Sequence, residues 1–212
     1  MSPRRVDKDQ RRRDIALTAL DVFAEKGFEA TSVEQVAKAA NLSKGTIYLY
    51  FESKEDLFFQ AVAGWADDMV QQTGAVVSNE LEPAERLRAL VHAMVEMFVS
   101  DQRSVRIAGA MFQLYLTNPQ LLRGHDVTRQ LFRGARKVVA DVLRDGVSRG
   151  AFSAETASNA EKTAVNLLAY LDGIALHHYM SGDYFDLLEQ VDLYLDNLIS
   201  SLSTGDRKRG NQ

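Results

Sequence analysis

The chain has 212 residues, of which 46% are hydrophobic and 25% charged, and it contains no cysteine. This composition is ordinary for a soluble globular protein with one or two domains. Without cysteine the chain can form no disulfide, thiolate metal site or cysteine nucleophile. No apolar run reaches the length of a transmembrane helix, about 18 residues, and the basic N-terminus is followed by no signal-peptide apolar region. We therefore expect a cytoplasmic protein with no membrane partner.

The charges are unevenly spread along the chain. The formal net charge is −4, yet the first 13 residues hold six basic side chains against two acidic ones. A basic end on an otherwise acidic protein suits a local contact with DNA and offers little non-specific attraction elsewhere. For Arg4 and Arg5, a solvated tail is an equal alternative.

The first predicted helix covers residues 9–26. Its apolar residues Ile15, Ala19 and Phe23 recur at intervals of four, which places them on one face. Gly27 is expected to end the helix, because glycine readily adopts the left-handed conformation that closes one. Together with the next two helices, it should form a small three-helix core.

Two short helices follow, separated by a turn, in the pattern of a helix-turn-helix. Thr31 is predicted to cap the second helix, and Glu34 three residues later would complete a capping box. Asn41 tolerates the left-handed conformation that a sharp turn needs. Ser43 is predicted to cap the third helix, residues 44–50.

The third helix is poorly suited to a core. Its spacing turns only Ile47 inward, with Phe51 one turn on, while glycine, lysine and hydroxyl-bearing residues occupy the other side. Gly45 leaves a bare backbone that another surface can approach closely. Hydroxyls and amines beside a helix N-terminus are groups that phosphate oxygens favour. DNA binding is the favoured interpretation, and a small corner with solvated polar residues is the alternative.

Six further helices are predicted, so the fold class is all-α with about nine helices. The fourth helix starts at Ser53 with no flexible linker before it, and Lys54 in its first turn is another phosphate-facing position. A shift of this helix would therefore move the third one. Pro83 suits the first position of the fifth helix.

The seventh helix is predicted over residues 120–149, with an interruption near Gly124 left open. The eighth covers residues 153–180, and Asp183 is expected to cap the ninth. These last two helices carry long apolar stripes and are joined by a tight turn, so they should form a hairpin with apolar surface to offer a second copy.

Long, soft or aromatic side chains gather on the fifth to seventh helices. Such residues fill a core or line an adaptable apolar cavity, and the core is the default for any one of them. As a group they mark where a small apolar or amphipathic effector is expected, with polar contacts from Arg103, His125 and Tyr115. The candidate lining comprises Met94, Met97, Phe98, Met111, Phe112, Tyr115 and Phe132.

The N-terminal region resembles the DNA-binding signature of the tetracycline-repressor (TetR) family. The family usually has glycine where this chain has Asn41. The resemblance covers roughly residues 10 to 60 and implies an all-helical, homodimeric, ligand-responsive transcriptional regulator. By the family's usual habit it would be a repressor that binds a palindromic operator in double-stranded DNA and is released by a small molecule. The matching positions are Thr31-Ser32-Val33, Val36-Ala37, Ala40, Leu42-Ser43-Lys44-Gly45-Thr46-Ile47-Tyr48, Tyr50-Phe51, Lys54 and Leu57.

The resemblance also implies domains and sites. The DNA-binding domain would be residues 1–52, and the ligand-binding and dimerisation domain residues 53–212. Base edges would be contacted by Lys44, Gly45, Thr46 and Leu49, and phosphates by Ser32, Ser43, Tyr48, Tyr50 and Lys54. The last two helices would build the dimer interface, through Leu167, Leu168, Leu171, Leu188, Val191, Leu195 and Leu198.

No set of catalytic residues is visible in the sequence. It has no HExxH, Walker or GxSxG motif. Adjacent His177 and His178 point about 100° apart on a helix and are poorly placed to share a metal. We therefore expect no enzyme activity, metal or cofactor. The alternative function is a helical ligand-binding or adaptor protein without DNA function. That alternative leaves one corner unexplained, which carries Lys44, Tyr48, Tyr50 and Lys54.

Overall fold

The structure is a computed structural model that describes residues 8–76, 80–124, 126–182 and 184–203, without the side chains of residues 74–76, 98, 122–124, 126–128, 130 and 131. The described residues form ten helices and no strand, apart from one isolated bridge between Phe152 and Ser203. The all-α prediction is confirmed. The helices are α1 Lys8–Lys26, α2 Val33–Ala39, α3 Lys44–Tyr48, α4 Lys54–Val76, α5 Pro83–Ser100, α6 Gln102–Thr117, α7 Pro119–Gly124, α8 Asp126–Ser148, α9 Ala154–Ser181 and α10 Leu187–Leu202.

Ten helices are described where about nine were predicted, because the seventh predicted helix is described as two ranges, α7 and α8, on either side of residue 125. Pro119 is the first residue of α7, where its missing N–H costs nothing. The chain then starts α8 at Asp126, two residues after Gly124. His125, between the two ranges, lies outside the described residues, so the interruption near Gly124 stays a prediction.

The helices pack into two compact units. The first unit extends to Met69 and includes Ser100–Leu131, so α6 and α7 belong with the three N-terminal helices and most of α4. The second unit consists of Val70–Val99 and the chain from Phe132 onward, which holds α5, most of α8, and the hairpin of α9 and α10.

The core of the first unit is aromatic. The Phe23 and Phe58 rings lie edge to face with their centroids 5.0 Å apart, and Phe58 makes similar contacts with Phe28 at 5.1 Å and Phe59 at 5.4 Å. Ile47 from α3 is buried in the same core. The short α3 is therefore held by tertiary packing, since a helix of this length is unstable alone.

Polar contacts connect α6 to its neighbours in the first unit. The Trp65 indole N–H donates to Ser104 Oγ at 3.2 Å, and Ser104 Oγ donates to Asp101 Oδ2 at 3.0 Å. Asp101 caps α6 by accepting from the Arg103 backbone N–H at 3.0 Å. The Arg103 side chain pairs with Asp21 of α1 at 2.9 Å. Helix α6 is thus joined to both α4 and α1.

The second unit has a largely aliphatic core with polar links at its margin. Arg86 of α5 pairs with Asp145 of α8 at 3.0 Å. The rings of Tyr170 and Tyr194 stack at 3.9 Å and join α9 to α10. The core is built from Leu87, Leu90, Val91, Val95, Val139, Ala140, Val142, Leu143, Phe152, Ala160, Ala164, Leu167, Leu171, Leu187, Val191, Leu195 and Leu202.

The capping of α2 differs from the prediction. Ser32, not Thr31, is the N-cap, and it forms a reciprocal capping box with Gln35 instead of Glu34. The physical reason is that the Thr31 hydroxyl is already used: it donates to the Gly27 carbonyl at 2.7 Å and closes the turn after α1. Glu34 therefore takes no part in the capping box.

Two other predicted helix ends move by a few residues. Helix α3 ends at Tyr48, with Leu49 as its C-cap, so Tyr50 lies beyond the helix. Helix α10 is capped by Asp186, which accepts from the Glu189 backbone N–H at 3.0 Å, while Asp183 lies outside the described residues. The left-handed conformation predicted for Asn41 is confirmed, with φ of 54°.

Candidate nucleic-acid interface

Helix α3 has one buried side and one open side. Ile47 is 1% exposed and holds the helix on the core of the first unit. On the open side, Leu49 is 81% exposed and Tyr48 is 46% exposed. An apolar side chain this exposed contributes little burial free energy to the fold. The open side of α3, formed by Lys44, Gly45, Tyr48 and Leu49, is therefore a candidate contact surface.

Gly45 keeps the open side of α3 flat. A Cβ added at this position would meet nothing closer than Ser43 Oγ at 3.7 Å, so internal packing does not require glycine there. The bare backbone is instead available to an outside surface. Lys44 and Thr46 flank it, and Thr46 Oγ1 lies 2.8 Å from Ser43 Oγ.

The two predicted phosphate-binding serines act as caps. Ser32 Oγ accepts from the Gln35 backbone N–H at 3.3 Å, and Ser43 Oγ accepts from the Thr46 backbone N–H at 3.1 Å. A hydroxyl that accepts one bond still has its own proton to donate. Capping therefore fixes the direction of each hydroxyl. Each also has a second partner, the Glu34 carboxylate for Ser32 and Thr46 Oγ1 at 2.8 Å for Ser43, which a phosphate oxygen would have to replace.

Lys54 and Tyr50 are more involved in the fold than the sequence suggested. The Lys54 ammonium donates to the carbonyls of Phe28 and Thr31 at 3.0 and 3.1 Å and lies 4.3 Å from the centre of the Phe28 ring. It therefore joins the start of α4 to the α1–α2 turn and has one N–H left. Tyr50 is half-buried against the core.

Glu34 is a charged residue of this surface that the sequence did not single out as functional. Its carboxylate pairs with the ammonium of Lys44, and both side chains remain at least half exposed. The hydrogen bond from Lys44 lowers the pKa of Glu34, and the same bond raises the pKa of Lys44. Both groups are thus charged at neutral pH. The contact joins positions ten residues apart on different helices, so no short motif could reveal it.

Arg12 is a second residue whose role only the fold reveals. Its guanidinium lies 5.2 Å from the centre of the Phe51 ring and 3.9 Å from Asp56. Asp56 also accepts from the Glu52 backbone N–H at 3.0 Å. Arg12 thereby links α1 to the segment that connects α3 with α4. The sequence placed it only in a basic N-terminal region.

The predicted effector residues are divided between the two units. In the first, Met111 packs on the core, Phe112 is 55% exposed, Tyr115 is 52% exposed, and Arg103 is engaged with Asp21. The second unit contains half-buried Met94 and Met97 and exposed Phe132. The Phe98 side chain and His125 lie outside the described part of the chain.

Four of the seven predicted dimer contacts need correction. These residues are buried in the chain's own core, because α9 and α10 turn them toward α5 and α8 and leave nothing for a second copy. They are Leu167, Leu171, Val191 and Leu195. The other three, Leu168, Leu188 and Leu198, keep part of their surface exposed. Exposed apolar residues that the prediction omitted are Val165, Leu176, Tyr179 and Met180 on α9 and Leu193 on α10.

Two other kinds of site are absent from the described residues. Among the described residues, no helix is long and apolar enough to cross a membrane. Over the same ranges, no three histidine or acidic side chains come together as metal ligands.

Two family models match the chain. The model described as bacterial regulatory proteins of the tetR family matches residues 15–61, which include α2 and α3. The model described as the C-terminal part of BetI-type transcriptional repressors matches residues 83–200, more than half of the chain.

Similar proteins include both a transcriptional activator and a transcriptional repressor. The transcriptional activator FasR of Mycolicibacterium smegmatis is 28% identical over 166 residues, which are 78% of this chain and 70% of that protein. The transcriptional repressor KstR2 of Rhodococcus jostii is 27% identical over 197 residues, 93% of each protein. Among solved structures, the regulator FadR of Bacillus subtilis, in complex with stearoyl-CoA, superposes with a TM-score of 0.71 at 20% identity, covering 89% of this chain and 98% of the other.

Proposed function

Because the chain belongs to the TetR family of bacterial regulatory proteins, we propose that it is a repressor that binds a palindromic operator as a homodimer and is released by a small molecule. Each protomer places α3 in the major groove of one half-site. The observation that carries this proposal is the open side of α3, where Leu49, Tyr48 and Lys44 face solvent around the bare Gly45. A helical adaptor without DNA function has no use for such a surface.

The contacts divide by chemistry. Groups on the open side of α3 meet base edges, and capping hydroxyls and phenols beside it meet phosphates. Lys54 contributes at most its one remaining N–H to a phosphate, because two carbonyls use the others. The base-edge set is Lys44, Gly45, Thr46 and Leu49, and the phosphate set is Ser32, Ser43, Tyr48 and Tyr50 with Lys54.

Selection from a pool of randomised duplexes tests the DNA proposal directly. The full-length protein should enrich a palindrome whose half-site centres lie about one helical turn, or a multiple of it, apart. Fluorescence anisotropy with the enriched duplex should then show tighter binding than with a scrambled one. Enrichment of no duplex over the starting pool would overturn the proposal.

Dimerisation is proposed through the exposed side of α9 and α10. A twofold interface buries the same patch on both copies, and this hairpin exposes apolar side chains at Leu176, Tyr179 and Leu193. Light scattering at micromolar concentration should give twice the 23.7 kDa chain mass. A stable, folded monomer under those conditions would contradict the proposal.

An apolar or amphipathic effector is supported by the placement of α6. Phe112 and Tyr115 expose their rings on a helix that is bonded to both α1 and α4. A ligand that prefers one position of α6 therefore biases the helices that carry α3. The stearoyl-CoA complex of FadR shows that this fold accommodates an amphipathic ligand, which supports a long-chain acyl compound as the first candidate.

The effector proposal is tested by titrating the protein–operator complex with stearoyl-CoA, using coenzyme A alone as the control ligand. The parent should lose roughly 5- to 150-fold in operator affinity. Phe112→Ala should respond less, with unchanged affinity in the absence of ligand. Leu17→Ala, which removes an exposed apolar side chain on α1, is the matched control and should respond like the parent. Loss of fold in Phe112→Ala would make Phe112 a core residue and contradict its role in the response.

A further inference from the structure

Glu34 raises a problem for a DNA-reading surface. Its carboxylate stands beside Lys44, the first residue of α3, although DNA phosphates repel negative charge. The N-terminus of α2 favours an acid in its first turn, and this stabilisation is the simple explanation for the residue. That explanation accounts for the position of Glu34 on α2 but not for its bond to a lysine on another helix.

The Lys44–Glu34 pair offers donors and an acceptor side by side. The ammonium has three N–H groups, of which one meets Glu34. The carboxylate also accepts from its own backbone N–H and from Ser32, and with about four acceptor sites it keeps one for a further donor. In the major groove, a G·C base pair presents two acceptors on guanine, O6 and N7, next to the amino donor on cytosine. Lysine is suited to the guanine acceptors and glutamate to the cytosine amino group. The two side chains together match one base pair.

On the proposed DNA-binding function, we infer that Glu34 and Lys44 act as one unit that reads a single G·C base pair in each half-site. Glu34 orients Lys44, accepts from the cytosine amino group, and prevents Lys44 from settling on a phosphate. On a wrong sequence the carboxylate faces no donor, so the complex weakens. Glu34 is thus a specificity-determining residue, as well as a stabilising residue of α2.

The test compares parent, Glu34→Gln and Glu34→Asp on the duplex that the parent selects and on single-base-pair variants of it. For the parent, replacing the G·C pair in one half-site should cost roughly 5- to 150-fold in affinity, and replacing it in both should cost about the square of that factor. Glu34→Gln should lose most of that discrimination. On random duplex it should bind more tightly, and its salt slope should steepen by about one unit per protomer because Lys44 is released to a phosphate.

Two variants separate this role from simple stabilisation of a helix. Glu34→Asp keeps the charge but shortens the reach, so random-duplex affinity should stay at the parent's level while G·C discrimination falls. Glu85→Gln makes the same change in the first turn of α5 and should leave both DNA properties unchanged. Thermal unfolding of each variant shows how much stability the acid contributes.

The outcomes are distinguishable. If Glu34→Gln keeps the parent's base-pair profile and salt slope, or if Glu85→Gln changes them equally, the inference is overturned while the DNA-binding proposal stands. If the parent selects no duplex at all, the DNA-binding proposal fails and takes this inference with it.

Discussion

The α3 surface and the α9 surface both expose apolar side chains, and they differ in what surrounds those side chains. On α3, Leu49 and Tyr48 stand among a lysine, a glycine and hydroxyl groups. On α9, Leu176, Tyr179 and Met180 follow one another along an apolar stripe near the end of the helix. A partner for the first surface must offer polar groups at every step, as a DNA groove does. A partner for the second needs mainly apolar surface, which another copy supplies.

The comparison shows that exposure alone does not identify a partner. Leu49 is the most exposed leucine among the described residues, yet it belongs to the more polar of the two surfaces. The chemistry of neighbouring side chains within one helical turn separates a surface for nucleic acid from a surface for protein. Breaking each surface separately should therefore produce different losses.

The largest loss is expected from a charge on the α9 surface. Leu176→Asp places a carboxylate in the proposed interface of both copies, where desolvation opposes association. We expect a folded monomer and a decrease in operator affinity of at least about 100-fold, because one protomer engages only one half-site. Light scattering and anisotropy measure the two effects. Leu17→Asp on α1 is the control, and a persistent dimer in Leu176→Asp would contradict the assignment of this surface.

A smaller loss is expected from truncation on α3. Leu49→Ala removes an apolar contact with the operator, and Lys44→Ala removes a base contact, each costing about 1–3 kcal/mol of binding free energy. Because neither side chain is buried in the core, dimer mass and the free energy of unfolding should match the parent. Unchanged operator affinity in both variants would exclude the open side of α3 as the DNA surface.

Much of the fold was predictable because its signals are local. The left-handed residue at Asn41, the cap at Ser43 and the helix start at Pro83 each depend on a few neighbouring residues. The choice between Thr31 and Ser32 as cap was not predictable, since it depends on the Gly27 carbonyl that Thr31 meets in the folded turn.

The contacts that set the site were less predictable than its location. The Lys44–Glu34 pair, the Arg12–Asp56 pair and the bonds from Lys54 to the α1–α2 turn all join separate helices. The sequence correctly showed that α9 and α10 carry long apolar stripes. Periodicity does not distinguish the residues that pack in the chain's own core from those left exposed for a partner. Leu167 and Leu195 were therefore assigned to the wrong side.

Lys54 lies close to the α3 surface in the sequence, but its ammonium donates to the Phe28 and Thr31 carbonyls of the chain itself. Lys54→Ala removes donors from the Phe28 and Thr31 carbonyls, so the free energy of unfolding should fall by about 1–2 kcal/mol. Lys38→Ala, on the exposed side of α2, should change it by less than about 0.5 kcal/mol. Chemical denaturation measures both. An unchanged stability would contradict the inward role. A salt slope lower by about one unit per protomer is the result expected if the remaining N–H of Lys54 also meets a phosphate.

The smallest effect concerns the charged contacts between α5 and α10. Asp192 accepts from His92 at 2.7 Å and from Arg88 at 3.1 Å, and the His92 hydrogen bond is the main cause that lowers the pKa of Asp192. A lowered pKa in the folded state means that this carboxylate stabilises the fold above its ordinary pKa and loses that contribution as pH falls through the lowered value. The Asp192 side chain is 43% exposed, so solvent screening limits its contribution to the free energy of unfolding to roughly a few tenths of a kcal/mol.

Asp192→Asn tests this contribution. The difference in the free energy of unfolding between parent and variant should shrink as the pH falls below about 4, where Asp192 in the unfolded chain binds its proton. Added salt should reduce the difference, since the pairs are partly exposed. Glu189→Gln, on the same helix, is the control and should show no comparable dependence on these pairs. A difference that grows on acidification would mean that Asp192 is held by contacts other than His92 and Arg88, and the link between α5 and α10 would have to be sought in apolar packing alone.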